Sequence, residues 1–157
     1  MKKLSPFFLF LFFFTARILH TTENISPVLD KSDQKGSIIV HIQNLKKPEG
    51  LLGVALFSSE QGFPGKSERA FAKKGVKITA TSQDVTFDNI PYGTYAISVF
   101  HDENSNEKLD TMIFGIPKEG VGVSNNPKMT GPPKFKRSKI LSLPQNRKEM
   151  IILMKYI

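Results

Sequence analysis

Asp102, Asn104, Asn106 and Asp110 stand at the first, third, fifth and ninth positions of the run D-E-N-S-N-E-K-L-D. Side-chain oxygens at that spacing are how a short loop wraps a hard cation such as calcium. In such a loop Lys108, at the seventh position, lends its backbone carbonyl, and Asp110 binds directly or through water. Two parts of the standard loop are missing. The sixth position, which normally takes glycine for a sharp turn, is Glu107, and a left-handed non-glycine residue costs about 1 kcal/mol. The twelfth position, where a bidentate Glu is normal, is Ile113; Glu119, further along, is the carboxylate that could replace it. The same residues also suit a structural loop, in which Asp and Asn side chains bond their own backbone. The two departures weigh toward that second reading. Calcium is the one cofactor the sequence suggests.

Other chemistry is fainter. His101 adjoins the loop and His41 lies on an early strand, so the pair with Asp102 is a conceivable transition-metal set. Nothing in the spacing brings them together, and a hydrogen-bonded structural histidine is the simpler expectation. Asp102, Asp110 and Glu119 supply carboxylates for acid–base work. Yet the chain has no G-x-S-x-G and no phosphate-binding glycine loop,. Ser124-Asn125-Asn126 has no base nearby in sequence and reads as a turn. No catalytic residue is assigned. Phe114, Met129 and Phe135 sit on a Gly/Pro-rich stretch, where they either form a ligand lip or pack onto the domain. Packing is expected, because compact loops hide their own apolar side chains.

The elements that must position these residues are strands. Ile38, Val40 and Ile42 alternate with Ile39, His41 and Gln43, a period of two,. Leu51–Phe57 is nearly all apolar and reads as a central strand, and the Pro48-Glu49-Gly50 turn suggests that it forms a hairpin with the first. Ser67–Lys74 looks helical, with Ser67 as cap, Phe71 as the docking residue and Gly75 as the stop. Val76–Ala80 and Gln83–Phe87 are short strand candidates. Thr94–Phe100 follows the turn Pro91-Tyr92-Gly93, with Tyr95, Ile97 and Val99 on one face. Lys139–Leu143 and Met150–Tyr156 complete the set. Ahead of these last two, Thr111–Ser138 holds four prolines and four glycines and reads as a long Gly/Pro-rich loop, of the kind that is functional or disordered. The expected fold is all-β: an antiparallel β-sandwich of about seven strands with one short helix.

Lys2-Lys3 followed by the apolar run Leu4–Ala16 has the layout of a secretory signal peptide,. It is short for a membrane span of about 20 residues. The expected organisation is a signal at 1–20, a flexible lead-in at 21–35 and the sandwich at 36–157, with cleavage between Arg17 and Glu23. There is no cysteine, so disulfides and thiolate metal sites are excluded. The formal charge is +8; removing Lys2, Lys3 and Arg17 leaves 19 basic against 14 acidic residues, near +5. Aromatic residues do not interleave with the basic ones as in a base-stacking surface. Nucleic acid is therefore not expected as a partner; a solvated basic surface, or weak attraction to anionic envelope polymers, is.

Longer patterns give a resemblance. Pro91-x-Gly93-x-Tyr95-Ala96 is followed by Phe100-His101-Asp102-Glu103-Asn104-x-Asn106-x-Lys108-Leu109-Asp110. Then come Phe114-Gly115-Ile116-Pro117-x-Glu119-Gly120, Ser124-Asn125-Asn126 and Gly131-Pro132-Pro133-x-Phe135. In this order they resemble a bacterial domain-of-unknown-function family, number 2141, over Gly36–Tyr156. The resemblance implies a secreted sandwich of transthyretin-like or immunoglobulin-like form and implies no activity. The family pattern has D-E-N-G-N-G-K-L-D, where this chain has Ser105 and Glu107. The resulting expectation is an exported, non-enzymatic β-sandwich with a binding or structural role, periplasmic or extracellular, and without a membrane span once the signal is cut. Its partner would be an envelope protein or glycan. The alternatives are a calcium-stabilised carbohydrate- or protein-binding module, and a hydrolase with its site on the loop 111–138.

Overall fold

The computed structural model describes residues 34–128, 130–142 and 147–157. The expected signal peptide, all but the end of the lead-in, and Met129 lie outside them. Eight strands form two facing sheets. The smaller sheet has the order β4-β1-β8, with β1 Lys35–Gln43, β4 Gln83–Pro91 and β8 Arg147–Leu153. The larger follows β3-β2-β5-β6, with β2 Leu51–Phe57, β3 Ala72–Lys77, β5 Gly93–Asp102 and β6 Gly120–Val123. The short β7, Ile140–Ser142, pairs with the start of β5.

The alternation read from sequence is what fills the space between the sheets. Ile38, Val40 and Ile42 from β1 meet Leu52, Val54 and Leu56 from β2, with Tyr95, Ile97 and Val99 from β5 and Ile152 from β8. All are buried. β5 has neighbours on both edges, and its inward residues Tyr95, Ile97 and Val99 pack against the smaller sheet.

Several expectations are corrected. Ser67–Lys74 is not a helix. Only Ser67–Arg69 makes a 3-10 turn, and Ala70 is already extended at φ −69°, ψ 146°. The chain then forms β3 along the edge of β2. A two-turn helix could bury little, whereas an edge strand gains a full ladder, and the exposed Lys73 and Lys74 protect that edge from further pairing,. Phe71 stays half exposed, its ring 5.5 Å from that of Tyr95. The hairpin of β1 with β2 is also wrong, since the two strands lie in different sheets. Asn44 takes a left-handed φ of 64°, and the buried Leu45 is tied to Thr81 by its N–H; this kink carries the chain between layers. The stretch 111–138 is no simple loop, for it contains β6 and the four-residue helix α1, Phe135–Ser138. Finally, β8 runs parallel to β1. β7 and β8 belong to different sheets, so no tight hairpin forces them antiparallel, and β8 fills the edge of β1 that β4 leaves open.

Candidate functional site

β5 ends at Asp102, so the acidic loop begins where the central strand leaves the larger sheet. Asp102 is 1 % exposed. One carboxylate oxygen accepts the N–H of Asn106 at 3.0 Å and the other that of Glu107 at 2.7 Å. The side-chain carbonyl of Asn104 accepts the same Asn106 N–H at 3.1 Å, and that of Asn106 accepts the Lys108 N–H at 2.9 Å. Glu119, 5 % exposed, reaches back from beside β6. Its two oxygens accept the N–H groups of Glu103 and Asp110, each at 2.9 Å. The loop is thus folded around two buried carboxylates that accept four backbone N–H bonds. Ser105 and Glu107 have φ of 58° and 62°. These are the two positions where the resembled pattern has glycine, and the left-handed backbone is the reason.

Five of the six side chains named as ion ligands therefore meet in this one hydrogen-bonded network; Lys108 enters it through its N–H. Asn104 and Asn106 turn their amide nitrogens toward Asp110, at 2.7 Å for Asn104 and 3.3 Å for Asn106. A cation here would share the Asp102 and Glu119 oxygens with the backbone and would require both amides to rotate. Among the described residues no group of three or more His, Asp or Glu side chains is placed to hold a metal ion.

The loop rests on a buried polar relay. His101 is fully buried, and its Nε2 lies 2.8 Å from the Glu49 carbonyl, which can only accept. Nε2 therefore carries the proton, and Nδ1 accepts the hydroxyl of Tyr156 at 2.7 Å,. The Tyr156 oxygen in turn accepts the Lys46 N–H at 2.9 Å. Two glycines make room for this packing. Gly50 has φ 83°, and a Cβ there would lie 2.4 Å from the Asp102 carbonyl oxygen. A Cβ on Gly120 would lie 2.4 Å from the Tyr156 ring. His41 sits on the other sheet and pairs with Asp84 at 2.8 Å and Glu149 at 3.7 Å. The two histidines hold separate structural bonds and do not share a site with Asp102.

Beyond Asp110 the chain projects as a short finger. Thr111 and Pro117 form a bridge. The Met112 N–H bonds the Ile116 carbonyl at 2.6 Å, and the Lys118 N–H that of Asp110 at 2.9 Å. Ile113 is 79 % exposed and Phe114 is 96 % exposed, with Met112 and Ile116 also open to solvent. Phe114 has φ 66°, an uncommon backbone for a bulky residue. Phe114 therefore does not pack down as expected. Phe135 does, 5.9 Å from the ring of Phe63, which itself meets Phe57. Sequence reading named Phe114 but could not see that a closed stem holds it outward.

Ser124-Asn125-Asn126 is a turn, as read, and it is also a clamp. Ser124 accepts the Ile97 N–H at 2.9 Å and donates to the Ser138 carbonyl. Asn125 donates to the Lys139 carbonyl at 2.8 Å. Asn126 donates to the Ile151 carbonyl at 2.9 Å and accepts the Leu153 N–H at 2.8 Å. It thereby joins the end of β6 to β8 in the other sheet.

The profile of a family described as "Uncharacterized protein conserved in bacteria (DUF2141)" matches residues 40–150. That span takes in the end of β1, β2 to β7, the start of β8, the acidic loop, the finger and the clamp. No curated protein and no solved structure matches the chain.

Proposed function

The chain belongs to the DUF2141 family, and from that premise we propose that it is an exported, non-enzymatic binding module of the cell envelope whose contact surface is the finger Met112–Ile116. The observation that carries this is the exposure of Ile113 and Phe114 on a hydrogen-bonded stem. Soluble monomers rarely present clustered large apolar side chains without a use for them. Burying each side chain against a partner is worth about 1.5–3 kcal/mol, and the closed stem lowers the ordering cost of docking. The acidic loop serves this role by fixing the base of the finger. Export rests on the Lys2-Lys3 and Leu4–Ala16 pattern,.

Cell fractionation with N-terminal sequencing tests the proposal. The mature chain should begin between Arg17 and Glu23 and stay with washed envelopes. Ile113→Ser/Phe114→Ser should shift it to the soluble exported fraction with an unchanged melting temperature. An intact Met1 chain in the cytoplasm, or equal partition of the two proteins, would overturn it.

A second reading, a calcium-stabilised module, is favoured by the convergence of Asp102, Asn104, Asn106, Asp110 and Glu119 in one network. Calcium would then raise the melting temperature by mass action, with a Kd of about 10⁻⁴–10⁻³ M, and Asp102→Ala would abolish the rise. If neither wild type nor Glu107→Gly shifts with calcium, the loop is purely structural.

A further inference from the structure

The side chains of the finger carry no oxygen or nitrogen. Met112, Ile113, Phe114, Gly115 and Ile116 follow one another without a polar residue, and all five are exposed. A protein partner is normally held by an apolar centre with a polar rim and about ten hydrogen bonds, and the side chains of this tip can make none. A lipid surface asks for none. It asks instead that an inserted segment bring its own backbone pairing, because hydrocarbon offers no partner to an N–H or a C=O. Inside the finger the Met112 N–H bonds the Ile116 carbonyl at 2.6 Å, and the Gly115 N–H bonds the Met112 carbonyl at 3.2 Å. With Phe114 at its apex the tip has two residues on either side, a reach of about 7 Å at about 3.3 Å per residue. Apolar side chains that lie in the headgroup–acyl boundary sit at a depth of about 5–10 Å, so the finger can enter that boundary and cannot cross the bilayer.

The charges at its base suit the same surface. Of the charged side chains on the acidic loop and the stem, Lys108, Lys118 and Glu107 are exposed. Glu103 pairs with Lys47 at 3.4 Å, and Asp110 and Glu119 are held by hydrogen bonds within the loop. Neither Lys108 nor Lys118 has an ion-pair partner among the described residues. A lysine can lay its stem along an apolar surface and keep its ammonium in the polar layer, where an anionic leaflet attracts it. Two exposed cations against one exposed anion make this a small contribution, so the apolar tip carries the binding.

We propose that the finger inserts Ile113 and Phe114 into the interface of a phospholipid bilayer, with Lys108 and Lys118 among the headgroup phosphates, so that the protein rests on a membrane surface without crossing it. This rests on the reading of the finger as the contact surface and names that surface's partner.

The chain has no tryptophan, so Phe114→Trp places a single reporter at the apex. When the purified mature variant meets vesicles of phosphatidylcholine and phosphatidylglycerol, its emission should shift to the blue and be quenched by brominated acyl chains. Lys73→Trp, on the exposed edge of β3, should show neither effect. In sedimentation with the same vesicles wild type should bind reversibly. Ile113→Ser/Phe114→Ser should bind at least about tenfold more weakly, the effect of losing the burial of one large apolar side chain or more. Lys108→Gln/Lys118→Gln should reduce the preference for these vesicles over pure phosphatidylcholine. All four variants change exposed residues, and their melting temperatures check that they fold. Wild type that stays in the supernatant overturns the proposal, as does an emission at position 114 that vesicles leave unchanged, or equal binding by Ile113→Ser/Phe114→Ser. If wild type ignores vesicles yet Ile113→Ser/Phe114→Ser loses envelope retention in cells, the contact surface stands and its partner is a protein or a glycan. If that variant keeps envelope retention, the contact surface itself fails.

Discussion

Asp102 does more for the loop than any other side chain, because its two oxygens hold two backbone N–H groups away from water. Asp102→Ala would leave both donors unmatched, at a cost of about 2–4 kcal/mol. Asp102→Asn keeps one acceptor and should cost clearly less; denaturant melts of the two variants check the order. Glu107 is the converse case. Its φ of 62° is strained for any residue with a Cβ, so Glu107→Gly should stabilise the fold by about 1 kcal/mol, with or without calcium. His41 supplies a pH dependence. The hydrogen bond to Asp84 raises its pKa above the ordinary 6.5, opposed in part by burial, with Glu149 adding further. A group whose pKa rises on folding stabilises the fold fully below its unfolded value and loses that contribution as pH climbs through the folded one. The melting temperature should therefore fall slightly between about pH 6 and pH 8, and His41→Gln should flatten that slope.

At the scale of elements, β5 and the clamp hold the site in place. Tyr95 is buried between the sheets and its hydroxyl donates to the Pro91 carbonyl at 3.1 Å. Tyr95→Ala should cost about 3 kcal/mol or more, whereas Tyr95→Phe should cost only about 1 kcal/mol, the net worth of one hydrogen bond. Asn126→Ala removes two bonds to β8 and places a Cβ residue without Asn's tolerance at φ 43°; a loss of about 2 kcal/mol is expected. Strands with a strict period of two were legible in sequence. Leu51–Phe57 has the bounds read for it, and Tyr95, Ile97 and Val99 share the buried face. Elements decided by pairing were not legible. Ala72–Lys74 carries helix-like residues and joins a strand because the edge of β2 is free, so the strand read at Val76–Ala80 lies instead at Ala72–Lys77. Gly120–Val123 is four residues among glycines, with no periodicity to reveal it. The loop chemistry was legible as Asx-rich, and the glycine positions of the resembled pattern anticipated the two left-handed residues. The exposure of Phe114 was not, because an apolar residue in a glycine-rich loop has the same sequence signature whether it packs or projects.

For the whole molecule, two sheets without disulfides form the frame, and the proposed function rests on what that frame holds outward. Among the described residues no helix is long and apolar enough to cross a membrane. The finger carries the most exposed large apolar side chains of the described chain, Ile113 and Phe114, and under the proposed export its surroundings can be probed directly. A photo-crosslinking side chain placed at position 114, with an exposed control at position 73 on β3, would be irradiated in intact cells. The account predicts adducts from position 114 and none above background from position 73. Equal yields from both positions, or no adduct from 114 in cells that export the protein, would contradict it.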